Sequence, residues 1–157
     1  MKAKKNGFTL IELMMVVSII AILASIAMPK FADLLEKAQE GSLKGNLGSM
    51  RSALSIYYSD NQGLYPVCSD PWPNPSSVVF TGTLAPNYIP TIPAVNNTLH
   101  LPTNHVVCDA SADIDSGSPH DGDGWYFDGV TPNDPQNGTI WVACDHTDTI
   151  GTIWTSY

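Results

Sequence analysis

The chain has 157 residues, 43% of them apolar, and a formal net charge of −8, which leaves room for one domain plus an anchor. All seven Lys and Arg stand at or before Arg51, and the remainder holds eleven aspartates and no glutamate. Phosphate contacts need Lys or Arg, so nucleic-acid binding through residues 52–157 is not expected; the acid-rich composition suits a soluble domain outside the cytoplasm that meets divalent cations.

Residues 1–7, MKAKKNG, form a short basic leader ending in Gly7. An apolar run of 21 residues follows, 8–28, broken only by Thr9, Glu12, Ser18 and Ser25. As a helix it would span roughly 31 Å, close to the hydrocarbon thickness of a bilayer. Lys2, Lys4 and Lys5 ahead of it place the N-terminus in the cytoplasm and the rest outside. A carboxylate inside such a segment costs on the order of 2.5–3.5 kcal/mol, so Glu12 calls for a partner. A secretory signal peptide is one reading, with Ser25-Ile26-Ala27 as a small-x-small cleavage site. The run is too long for that, since the apolar part of a signal peptide has about 7–15 residues. A plain signal anchor fits the length and leaves Glu12 without a reason.

Pro29 ends the run, and a bend or local melting is expected there, because proline lacks an N–H and crowds the carbonyl of Ser25. Residues 30–60 continue as an amphipathic helix. Leu43, Leu47, Met50, Leu54 and Tyr57 step by 4, 3, 4, 3, a helical seam. Phe31, Leu35 and Ala38 form an earlier piece of it. Gly41, Gly45 and Gly48 weaken this helix by roughly 1 kcal/mol each relative to Ala, and they permit close approach of another backbone. Residues 8–58 therefore read as one long helix.

Residues 61–120 hold nine of the twelve prolines and read as irregular loops with brief strands at 78–80 and 105–107. Three β-rich runs follow: 124–128 (GWYFD), 139–145 (TIWVACD) and 149–154 (TIGTIW), separated by turn material. They suggest an antiparallel meander. In the middle run Ile140, Val142 and Cys144 share one face. The expected fold class is α+β: a long N-terminal helix, membrane-spanning in its first half, packed on a C-terminal antiparallel β-sheet within residues 61–157.

The basic leader, Gly7, then Phe8-Thr9-Leu10-Ile11-Glu12, the apolar run and Pro29 together resemble the N-terminus of type IV pilins and the pseudopilins of type II secretion systems. The resemblance is specific over residues 1 to about 30, and ALSIYYSDNQGLYP (53–66) is also similar to those families, especially the pseudopilins. It implies that a membrane-embedded prepilin peptidase cuts between Gly7 and Phe8 and methylates the new amine of Phe8. That amine would lie four residues from Glu12, within its own helix or across to a neighbour's. The pair would be stronger in hydrocarbon than in water and would fix the stagger of packed helices, as a buried polar group fixes coiled-coil register. The resemblance implies an assembly role for Phe8, Glu12 and Pro29. The partners it implies are copies of the same chain in a filament, the peptidase, the inner membrane before assembly, and an inner-membrane assembly platform. The finished filament would be an extracellular pilus or a periplasmic secretion fibre.

Cys68, Cys108 and Cys144 all follow the apolar run, on the side where a disulfide persists. Their odd number permits at most one internal bridge. Cys108–Cys144 is one pairing, and Cys68 could replace either partner. His105-x-x-Cys108 and Cys144-x-His146 alternatively offer the four ligands of a tetrahedral zinc site. Asp113, Asp115, Asp121 and Asp123 resemble the opening of a calcium loop, with Ca2+ as a possible ligand, though the late glutamate of that motif is missing. No nucleophile elbow, metalloprotease helix or P-loop occurs, so no enzyme is expected. The reading from another class is a membrane-anchored metal-binding domain that never polymerises.

Overall fold

The computed structural model describes residues 7–66, 80, 82–97, 100–108, 124–129 and 138–157, with only the main chain of Cys108. The described elements are one helix, α1 (Leu10–Asp60), three strands, β1 (Val106–Cys108), β2 (Gly124–Phe127) and β3 (Ile140–Ala143), and a 3-10 turn, Trp154–Ser156. The chain divides into two compact units, Met1–Glu36 and Lys37–Tyr157.

In the first unit, α1 runs without a break through Pro29, so the local melting expected there is not seen. A proline removes one N–H, and a helix of this length holds its path with one missing bond. The large apolar side chains from Phe8 to Leu35 are 46–75% exposed. Among the described residues, nothing within this unit covers them.

In the second unit α1 has the expected seam. Leu43, Leu47, Met50 and Leu54 are buried, joined by Ala53, and Tyr57 packs partly buried against the same core. Facing them are Phe80, Leu84, Trp125, Phe127, Ile140, Val142, Cys144 and Trp154. A side chain buried this fully contributes about 1.5–3 kcal/mol. The helix ends where Gln62 and Gly63 take positive φ, and Gly63 N–H bonds back to the Tyr58 carbonyl (2.9 Å). A Cβ at Gly41, Gly45 or Gly48 would meet nothing within 4 Å. The close backbone approach those glycines permit is thus not made within the described residues.

The sheet is mixed rather than antiparallel. Its order is β1-β2-β3, with β1 parallel to β2 and β2 antiparallel to β3. Residues 149–154 do not form the third strand expected of them. Asp148 Oδ1 accepts the N–H groups of Ile150 and Thr152 (2.9 Å each), Gly151 takes φ +89°, and the segment closes on itself through a Thr147–Ile153 bridge. Amides held by a side chain are unavailable to a ladder. Phe80, expected in a strand, lies in a helical turn and packs edge-on against Phe127 at 4.6 Å between ring centroids; positions 78–79 lie outside the described residues. Ile140, Val142 and Cys144 share the core face as expected, while Trp141 stacks on its registered neighbour Tyr126 at 4.9 Å.

Polar anchors on α1 fasten the segment after β3. Glu40 accepts the Thr149 N–H and hydroxyl (2.6 Å each). Lys44 Nζ donates to Asp148 Oδ2 (2.8 Å) and Tyr157 Oη (2.7 Å), and sits 4.1 Å from the Tyr157 ring centroid. Arg51 donates to the carbonyl of Ile140 (3.1 Å) and to the Tyr157 main-chain oxygen. Lys44 foremost, then the Tyr157 hydroxyl and the Thr152 amide, hold the Asp148 carboxyl well below its ordinary value of 3.8.

Two outcomes follow. Leu47→Ala should lower the stability of the outer unit by about 2–5 kcal/mol, and Ile19→Ala should leave it unchanged, as read by denaturant unfolding in micelles. A carboxyl with a depressed folded pKa stabilises above its unfolded pKa and loses that contribution as pH falls. Stability should therefore decline as pH drops below the ordinary 3.8 of Asp148, and Asp148→Asn should flatten that slope while lowering the melting temperature at pH 7.

Candidate assembly site

Gly7 and Phe8 are exposed and precede the first turn of α1. Thr9 caps the helix, and its relation to Glu12 is reciprocal. The Thr9 hydroxyl accepts the Glu12 N–H (3.3 Å), and Glu12 Oε2 accepts both the Thr9 N–H (2.8 Å) and the Thr9 hydroxyl (2.6 Å). This is a capping box, in which two otherwise orphaned amides of the first turn are satisfied by two side chains. The Thr-x-x-Glu spacing ahead of an apolar run is the sequence signal for it. Glu12 also stands at the helix N-terminus, where the macrodipole favours a negative charge.

The remaining polar interruptions are satisfied within the helix. Ser18 Oγ donates to the Met14 carbonyl and Ser25 Oγ to the Ile22 carbonyl, both at 2.8 Å. Ser18 and Ser25 therefore present no free hydroxyl donor to an apolar surrounding. Among the described residues, α1 is long and apolar enough to cross a membrane. Glu12 is the sole charged side chain between Lys5 and Lys30. Pro29 stands inside α1, exposed.

The expected sites of the outer unit are sorted by strand register. Cys108 is registered with Phe127, and Phe127 with Ile140. Cys144 thus lies two strands away and four residues further along. Two inter-strand steps alone amount to about 9.5 Å, whereas a disulfide needs Cα atoms within roughly 7 Å. A Cys108–Cys144 bridge does not fit this register. Among the described side chains His100, rather than His105, joins Cys144 and His146, and the Cys108 side chain lies outside the described residues. Cys68, Asp113, Asp115, Asp121 and Asp123 lie outside the described residues.

A family model described as the prokaryotic N-terminal methylation motif matches residues 2–28. The type IV narrow pilus major component PilA5 of Thermus thermophilus is 39% identical over 83 residues, 53% of this chain and 69% of that protein. Fimbrial protein EcpC of Eikenella corrodens is 44% identical over 66 residues, 42% of each chain. The type IV major alpha-pilin of Moraxella bovis is 43% identical over 70 residues, 45% of this chain and 42% of its own. The match thus spans less than half the length of the last two. No solved structure matches the chain.

Proposed function

The chain belongs to the type IV pilin family, and on that premise we propose that it is the structural subunit of a type IV pilus-like filament, processed between Gly7 and Phe8 and assembled through α1. The observation that carries this reading is the long exposed apolar surface of α1, interrupted by one charge, directly behind a methylation motif. In the uncut chain Glu12 is engaged by Thr9. Cleavage turns the Phe8 nitrogen into an amine that is then methylated and still cationic. It offers Glu12, its own or that of an adjacent subunit, a counter-charge that Thr9 cannot supply.

Before assembly the apolar half of α1 lies in the inner membrane, covered by lipid. During assembly it leaves lipid for the matching surfaces of sister helices. The alternation has a small net driving force, because lipid tails and apolar side chains are comparably nonpolar. A directional charge pair in a dry environment then sets the axial stagger, since in the low-dielectric interior only a paired carboxylate is tolerated. Membrane peptidase, assembly platform and sister subunits are the partners this sequence of events requires. The relatives are named as pilus and fimbrial proteins, which favours the pilus over the secretion fibre.

Intact mass of protein sheared from the cell surface tests this reading. It should lack residues 1–7 and carry one added methyl. Glu12→Ala should be cut and retained in membranes yet fall at least tenfold in the sheared fraction. An uncut chain, cleavage after Ala27, or normal filament yield from Glu12→Ala would overturn it.

A further inference from the structure

We propose that His100, Cys144 and His146 hold a zinc ion that ties the loop before β1 to the end of β3. The three side chains come from two segments. Cys144 and His146 follow β3 directly, and His100 sits in the loop that the Val95–Thr103 bridge closes. His100 Nε2 lies 3.3 Å from His146 Nδ1; the Cys144 sulfur lies 3.6 Å from the first nitrogen and 3.5 Å from the second. A tetrahedral zinc with Zn–N near 2.0–2.1 Å and Zn–S near 2.3 Å sets N···N at roughly 3.3–3.4 Å and N···S at roughly 3.5–3.6 Å. All three edges agree.

Hydrogen bonding alone does not account for the triangle. A ring nitrogen that carries a hydrogen has no lone pair left to accept with, so the three edges cannot all be directional bonds at once. A cation at the centre engages all three lone pairs together. Cys144 is 1% exposed, and a zinc ion would hold its sulfur as the thiolate there.

Surrounding groups support the ligands. Asn97 Oδ1 accepts the His100 N–H (2.8 Å) and Asn97 Nδ2 donates to the Cys144 sulfur (3.5 Å). One amide thus orients a ligand's backbone and stabilises the negative sulfur, the usual office of a second layer around a metal. Asp145 Oδ1 lies 3.4 Å from His146 Nδ1, so among the described residues a carboxylate stands beside the site. Imidazole and thiolate select zinc over calcium or magnesium, which take oxygen.

The test uses the full chain in detergent micelles, without a histidine tag, reduced and stripped by chelator. Zinc chloride should bind one equivalent per chain and survive gel filtration, and calcium chloride should not displace it. Cobalt(II) in its place should give a thiolate charge-transfer band. His100→Gln and His146→Gln, at half-buried positions, should keep near-ultraviolet circular dichroism and each weaken zinc binding at least a hundredfold. Cys144→Ala should abolish the cobalt band, and Asn97→Ala should weaken binding about 10–100-fold. No retained zinc, undiminished binding in the double histidine variant, or a purified chain whose mass places Cys144 in a disulfide would each overturn the proposal.

Discussion

One helix carries two surfaces that need different surroundings. Up to Leu35 the apolar side chains of α1 are uncovered, whereas Leu43, Leu47, Met50, Ala53 and Leu54 are buried in the core of the outer unit. Apolar surface gains about 25 cal/mol for each Å² removed from water, so an uncovered stretch of this length is not a stable state in water. A contiguous exposed patch on this scale marks a membrane or protein interaction site. The details of the first unit follow from that constraint. Thr9 and Glu12 satisfy each other, Ser18 and Ser25 return their hydrogens to the helix, and no second charge interrupts the segment. Lipid and sister helices are two environments that would meet the same requirement, as the proposed passage of a subunit from one to the other demands.

The outer unit answers a different electrostatic problem. It holds eleven aspartates from Asp60 onward and no cation beyond Arg51. The cations that reach its far end are therefore borrowed from α1. Lys44 and Arg51 stand seven residues apart, two turns of the helix, and both contact the segment after β3, at Asp148 and at the Tyr157 main-chain oxygen. That segment also docks Trp154 into the core. The second half of the helix is in this way both the hydrophobic backing of the sheet and the counter-charge for its last loop.

Much of this was legible in the chain. The apolar run, the 4-3-4-3 seam and the core face of β3 follow from periodicity, which local sequence expresses directly. What was not legible depended on contacts distant in sequence or on single side chains. The composition of 149–154 favours a strand, but Asp148 captures the amides that a strand would have used. The parallel pairing of β1 with β2 is a contact between segments distant in sequence, and neither short strand encodes its direction alone. His105 and Cys108 have a ligand-like spacing along the chain, yet it is His100 that the Val95–Thr103 bridge accompanies to Cys144. The Thr9–Glu12 capping box was fully written in four residues. It gives the one charge of the apolar run the ordinary role of a carboxylate at a helix start.

The central claim is that the exposed half of α1 is completed by copies of itself, with Glu12 as the element that sets their stagger. A density map of the isolated filaments at side-chain resolution tests it most directly. The account predicts the α1 segments packed together along the filament axis, with the methylated Phe8 nitrogen within about 4 Å, salt-bridge range, of a Glu12 carboxylate. Filaments whose α1 segments stand apart, or in which Glu12 faces water with no amine near it, would contradict the account.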